Sequence, residues 1–339
     1  GLVDKVFTVE ELRHWFFEEF PNQDDDKNKL PDSISIYDYL STIDTEENKS
    51  ENKIAVIHIE GTITSGESAY GVAGSDTIVK NIRKAIKDDS VKALVLRVNS
   101  PGGGVYASEL ITNSLNEFKE TGRPIVSSMG DIAASGGVWV TTLSDEIWAK
   151  NETLTGSIGV YGLIQTLENL YDWAGVQVDG VSSTNAADWD QRSSMPDNVT
   201  NAIQKSVDGI YDEFVNKVAN NREMRYEEVH AVAKGRIWSG EKALQLGLVD
   251  KIGGLEDALT SASKLAEIDD YEVVSYFKEM DPFEIIISEL IDNLDMKIGL
   301  GRNSKKVFNL INSGYKFIDE EKEINMISYC FDCEYFFPK

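Results

Sequence analysis

The sequence is poor in the side chains that most metal, redox and nucleophilic sites depend on. It holds three histidines and two cysteines among 339 residues. Cys330 and Cys333 form a single C-x-x-C near the carboxyl end. Without a second pair to complete four ligands, a zinc site within one chain is not expected. A redox C-x-x-C opens a helix in a βαβ setting, whereas "YCFDCEYFF" reads as a strand or tail, so the expectation is a structural disulfide or two idle thiols. Basic residues are also scarce: 33 Lys and Arg face 58 Asp and Glu, a formal charge of −25. Such a surface repels a phosphate backbone and argues against a nucleic-acid partner; it serves chiefly as a solvated, soluble face. No uninterrupted run of ~18 apolar residues occurs, so no stretch reads as a membrane-spanning helix. Residues 1–20 carry Asp4, Glu10, Glu11, Arg13 and Glu18 where a secretory leader needs an apolar core. The chain starts at Gly1, as expected of a processed chain or of part of something longer.

What is present is globular: 41% hydrophobic and 27% charged residues over a length that exceeds one typical domain. "TVEELRHWFFEEF" predicts a short amphipathic helix capped by Thr8, with Glu11 three residues on. "PNQDDDKNKLPDS" and "STIDTEENKSENK" read as a solvated loop and a charged linker. From residue 54 the pattern alternates. "IAVIHIEG", "KALVLRV" and "PIVSSM" predict buried strands. Helices are predicted over about 76–88, over "ASELITNSLNEFKE", and just after Ser135. "DEIWAK", "GSIGVYG" and "VQVDGVS" continue the strand series. Residues 196–247 read as mostly helical, "GLVDKIGG" as a strand and turn, and 255–268 as a helix. "YEVVSYF" reads as a strand within a mixed tail. Strands alternating with helices predict a largely parallel sheet covered on both faces. The expected organisation is 1–52 as the end of a preceding repeat plus linker, 53–268 as the α/β domain, and 269–339 as a mixed carboxyl-terminal extension. The repeat rests on "GLVDK", which occurs at residues 1–5 and again at 247–251.

Two short motifs carry the chemistry. "GDIAASGGVW" sets Ser135 among small residues, with glycines that let the backbone turn sharply. By itself the plainer reading is a small residue in a tight corner. "VLRVNSPGGGV" ends a strand with Gly102, Gly103 and Gly104, whose N–H groups are able to converge on negative oxygen; the plainer reading is a connection that needs unusual dihedrals. A phosphate-binding P-loop is excluded, since no Gly-Lys-Ser/Thr follows, and the spacing is not that of a dinucleotide fingerprint. Together, the motifs stand at the carboxyl ends of neighbouring parallel strands, where open α/β sheets place their sites. The N–H of Gly136 is expected to join that of Gly102 or Gly103 around the oxyanion formed when Ser135 attacks an acyl carbon. A serine still needs a base. His58 is expected within the first strand, His14 and His230 lie in segments remote from the motif, and none stands in a turn beside a carboxylate, which disfavours a Ser-His-Asp triad. The alternative is a lysine kept neutral by burial.

"VLRVNSPGGGVYASE", "SMGDIAASGGVW", "TLTGSIGVYG" and "GRIWSGEKALQLGLVD", in this order, resemble the signal peptide peptidase A (protease IV) family. The resemblance runs from about residue 53 to 268 and implies the Clp protease/crotonase-like α/β fold and a Ser-Lys peptidase that uses no cofactor or metal. It points to the carboxyl-terminal half of the long, duplicated form, with Ser135 as nucleophile. Ser157 of "TGSIG" matches a family serine that helps orient the lysine, and equally suits a strand-end hydroxyl. Short-form members carry the lysine on the helix after G-S-I-G; here "LIQTLENLYDWAG" has none, and Glu168 falls about where one is expected. The long form takes its lysine from the first half, so this chain alone is expected to be inactive. Lys150 is a weaker substitute, since it ends an edge-like strand. The resemblance further implies peptide substrates such as cleaved signal peptides, a ring-like homo-oligomer, and the extracytoplasmic (periplasmic) face of a bacterial inner membrane, with membrane association through an absent segment. Two other classes compete. A crotonase-type acyl-CoA enzyme would need a catalytic carboxylate and a basic patch for the CoA phosphates. A non-catalytic scaffold would keep the fold without the base.

Overall fold

In the computed structural model, which describes residues 5–20, 34, 39, 42, 49–69, 71–177, 189–276 and the backbone of 327–329, the chain divides into two units, Gly1–Asn48 and Lys49–Lys339. In the first unit, helix α1 (Val9–Glu19) starts at the predicted cap. The Thr8 N–H donates to Glu11 Oε2 at 2.7 Å, and the Glu11 N–H donates back to Thr8 Oγ1 at 3.3 Å. None of its residues is buried; Trp15 stacks with Phe7 and meets Phe16 and Phe20 edge to face.

In the second unit, the β-branched run "KIAVIHIE" forms β1 (Lys53–Glu60). It is followed by β2 (Thr62–Thr64), β3 (Val72–Gly74), α2 (Ser75–Lys87), β4 (Val91–Ser100), β5 (Gly102–Gly104), α3 (Val105–Lys119), β6 (Ile125–Ala134), α4 (Gly136–Trp139), β7 (Glu146–Ala149), β8 (Leu154–Gly156) and α5 (Glu168–Trp173). Then come α6 (Asp197–Arg222), α7 (Tyr226–Val232), β9 (Ile237–Ser239), α8 (Gly240–Gln245), β10 (Lys251–Ile252), α9 (Leu255–Leu265), β11 (Glu272–Tyr276) and β12 (Ile327–Tyr329). The main sheet runs β10-β7-β6-β4-β1-β11, parallel throughout, with β8 added parallel to β6 and β9 antiparallel to β8. A smaller sheet runs β12-β5-β2-β3.

The strand period of two explains why both faces are covered. Ala55, Ile57 and Ile59 of β1 join Leu94, Leu96 and Val98 of β4 in one core, against Ile78 and Ile82 of α2 and Ile111, Leu115 and Phe118 of α3. The intervening Ile54 and Val56, with Ala93 and Val95, form the opposite core against Ala258 and Ala262 of α9. The expected α/β class with a parallel sheet and flanking helices is therefore present. The "GSIGVYG" run departs from expectation: the strand stops at Gly156, because Gly156 (φ +87°) and Ser157 (φ +50°) both leave the extended region. The helix expected over 163–175 is only the six residues of α5. Strand β9 interrupts the stretch read as helical. Cys330, Cys333 and most of "VQVDGVS" lie outside the described residues.

A helix follows each "GLVDK" at the same spacing. Helices α1 and α9 are both 11 residues long. Counting from each "GLVDK", Thr8 corresponds to Gly254, Glu11 to Asp257 and Glu19 to Leu265. The Gly254 N–H donates to Asp257 Oδ2 at 2.8 Å, the counterpart of the Thr8–Glu11 bond. Leu12 and Phe16 occupy the places of the sheet-facing Ala258 and Ala262.

Candidate active site

Strands β4 and β6 are parallel neighbours, so the loops at their carboxyl ends emerge side by side. Each leads straight into a helix. Ser135 occupies the corner between β6 and α4 with φ 54° and ψ −116°. A non-glycine residue there is strained, by about 1–3 kcal/mol, and persists only where its surroundings over-determine it. Those surroundings are explicit. Ala133 and Ala134 before it are fully buried. The Ser135 N–H donates to Gly156 O at 2.9 Å, and its carbonyl accepts from the N–H groups of Val138 and Trp139, both at 2.9 Å. A sharp strand-to-helix turn of this kind presents a serine hydroxyl apart from its own helix. Ser135 itself is buried in this chain.

The glycine-rich loop meets the corner at close range. Gly102 (φ +108°) and Gly103 (φ +155°) take backbone conformations that L side chains rarely adopt. A Cβ on Gly103 would stand 2.0 Å from Ile63 O of β2. The Gly102 N–H donates to the buried Ser100 Oγ at 3.1 Å, which fixes the loop from below. From the other side, a Cβ on Gly136 would stand 3.1 Å from Gly103 N and 3.3 Å from Gly102 Cα. The amides of Gly103 and Gly136 are thus brought together beside Ser135, while the amide of Gly102 is engaged with Ser100.

Ser157 follows Gly156 as Ser135 follows Ala134, and Ala134 and Gly156 are paired across β6 and β8. The two serines therefore leave adjacent strand ends. Ser157 is nearly buried and its N–H donates to Arg236 O at 2.7 Å. The other titratable candidates lie elsewhere. His58 sits in β1 with Nδ1 3.4 Å from Glu60 Oε1, and burial pushes its imidazole below the usual range. His230 bonds Tyr211 Oη at 2.9 Å, and His14 lies in the first unit. Lys150 directly follows β7 and is exposed, and Glu168 of α5 is partly exposed. Sequence reasoning did not single out Lys217, whose ammonium lies 3.1 Å from Glu109 Oε2 and 3.6 Å from Glu213 Oε1. A lone lysine between turns of α6 gives no signal of those partners.

Residues 117–269 match peptidase family S49. The chain is also 36% identical over 243 residues to a putative signal peptide peptidase SppA of Enterococcus faecium, covering 71% of that protein. The chain belongs to peptidase family S49. Within this family it is 40% identical over 267 residues to Protease 4 of Haemophilus influenzae and 39% over 258 residues to Protease 4 of Salmonella typhi. These matches take in 78% and 76% of this chain but 43% and 41% of the two relatives. The chain thus spans about two fifths of the length of these Protease 4 relatives. Among the described residues no helix is long and apolar enough to cross a membrane.

Proposed function

We propose that this chain is the nucleophile-bearing part of an S49 serine peptidase that hydrolyses peptide bonds by acyl transfer. The observation that carries the reading is the strained corner at Ser135, held against the amides of Gly103 and Gly136. In the proposed reaction Ser135 Oγ attacks the scissile carbonyl and loses its proton to a base. The carbonyl oxygen, now negative, accepts from the N–H groups of Gly136 and Gly103, with Gly102 shaping the loop. Collapse expels the amine, which takes the proton, and water then releases the acyl group by the same route in reverse. Ser157, on the adjacent strand end, orients the base.

The base is a lysine from a preceding half that this chain does not carry. One observation and the family resemblance support that part: α1 matches α9 in length, in its cap and in the spacing of its apolar residues, and the resemblance to short-form members implies a lysine about where Glu168 stands. The Protease 4 relatives are long enough to hold such a half. On this reading the chain alone is inactive. Its substrates are apolar peptides, signal peptides among them, and the assembled enzyme is a homo-oligomer at the extracytoplasmic face of a bacterial membrane, anchored through a segment outside this sequence.

A fluorophosphonate probe with mass spectrometry tests the proposal on this chain and on a version extended upstream through the first repeat. Labelling of Ser135 only in the extended protein is the expected result. Labelling of the isolated chain would place the base within it, with Lys150 tested next. No labelling in either would leave a scaffold that keeps the fold without the activity.

A further inference from the structure

The two loops of the site are short, and helix α4 consists of only four residues. Something outside them must hold their spacing. The first residue beyond the glycines that reaches across is Trp139. Its N–H donates to Ser135 O at 2.9 Å, so its backbone is tied to the nucleophile's corner. Its indole Nε1–H donates to Glu109 Oε2 at 2.9 Å. Glu109 belongs to α3, which starts where the glycine loop ends, and its neighbour Ser108 donates from Oγ to Gly104 O at 3.0 Å. A chain of links therefore runs from one loop of the site to the other: Ser135 carbonyl, Trp139, Glu109, Ser108, glycine loop.

We infer that Glu109 is a positioning residue that sets the spacing between the Gly103 and Gly136 amides by anchoring Trp139. This inference rests on the peptidase reading of Ser135. A fully buried indole N–H needs an acceptor, and Trp139 is 1% exposed. A carboxylate makes that bond charge-assisted and shorter than a neutral one. The carboxylate is itself held, because Lys217 Nζ of α6 lies 3.2 Å from Oε1 and 3.1 Å from Oε2. The same ammonium stands 5.4 Å from the Trp139 ring centroid, and Phe214 packs 4.8 Å from that ring. Three helices thus fix one carboxylate, and the carboxylate fixes the only long side chain on the nucleophile's helix that reaches back to α3. Displacing two oxyanion donors by a fraction of an ångström lowers the rate of acylation without altering how a peptide docks.

The test uses Glu109→Gln, Glu109→Leu and Trp139→Phe. In this chain, the Trp139 indole N–H resonance, identified by its loss in W139F, is expected far downfield and slow to exchange. It should stay so in E109Q, which keeps an acceptor oxygen, and move upfield in E109L. In the upstream-extended protein, fluorophosphonate labelling of Ser135 should slow by about 10- to 100-fold in E109L and W139F and by less than about 3-fold in E109Q. With a peptide substrate kcat should fall and KM stay unchanged. W139F retains the ring packed on Phe214, so it guards against a variant that merely fails to fold. An unmoved indole resonance in E109L would overturn the anchor. A moved resonance with wild-type labelling rates would overturn its role in positioning. Absence of labelling in the wild-type extended protein would overturn the peptidase reading and this role with it.

Discussion

Gly136 lies so close to Gly103 that an added methyl group crowds the glycine loop: its Cβ would stand 3.1 Å from Gly103 N and 2.8 Å from Ser108 Oγ. Gly136→Ala therefore pushes the two loops apart where their amides converge. Overpacking of this kind costs about 1–3 kcal/mol of stability. Loss of one oxyanion donor's alignment is worth about 100-fold or more in rate. The expected outcome is a folded protein of lower melting temperature whose Ser135 labels at least about 100-fold more slowly in the extended form. Wild-type labelling by G136A would remove the Gly136 amide from the oxyanion site.

Ser135 gives a prediction of opposite sign for stability. Its φ of 54° is unfavourable for any residue with a Cβ and free of strain for glycine. Ser135→Gly should be more stable than Ser135→Ala by about 1 kcal/mol, although both abolish labelling. Denaturant unfolding of the two variants gives the comparison directly. Equal stabilities would mean that the corner relaxes once the hydroxyl is gone.

The parallel sheet was legible because its strands are almost uniformly apolar and β-branched, and because helices of matching length separate them. Ile54 to Ile59 need no tertiary knowledge to be read as a two-faced central strand. The two loops were legible as chemistry only in combination, since Ser-Gly and Gly-Gly-Gly are each ordinary turn sequences. Other features left no local trace. Gly102 donates to Ser100, two residues before it, and this bond depends on a side-chain rotamer rather than on residue type. Strand β5 exists because Gly103 pairs with Ile63 of β2 on one side and Gly102–Gly104 pair with β12 on the other, partners that only the tertiary fold brings together. Helix α5 is shorter than the apolar pattern of 163–175 predicts, because Leu163, Leu170 and Trp173 find no covering surface among the described residues and remain exposed. Periodicity reports a face; it does not report whether that face is covered.

Asp250 joins three elements, and its loss should be felt far from the site. Its Oδ2 accepts the Ile147 N–H of β7 at 2.8 Å and Arg222 Nη1 at 2.7 Å, and the Arg222 side chain is 11% exposed. Removing one partner of a mostly buried pair leaves an uncompensated guanidinium and an unpaired amide, which together cost about 3 kcal/mol. Asp250→Ala should lower the melting temperature by roughly 6–10 °C. Asp250→Asn retains an acceptor for Ile147 and should lose about half as much. Differential scanning calorimetry of the two variants checks the ratio; equal losses would assign the whole effect to charge.

His58 predicts a pH dependence whose sign follows from burial. Desolvation in β1 is the largest influence on its imidazole and pushes its pKa below the usual range; Arg97 acts the same way, and Glu60 opposes both. The neutral ring is thus favoured in the fold more than in the unfolded chain. Well above the ordinary imidazole pKa of about 6.5 neither state binds the proton, and this contribution to stability is complete. As pH falls through the ordinary imidazole range, about 6.5, the unfolded chain takes up a proton that folded His58 resists. Stability then declines until the lowered folded pKa is also passed. Carboxylates titrate in the acid range as well, so the informative quantity is a difference. Between pH 7.5 and pH 5.5, His58→Gln should lose less unfolding free energy than the wild type. An identical loss in both proteins would show that His58 titrates alike in the folded and unfolded chains.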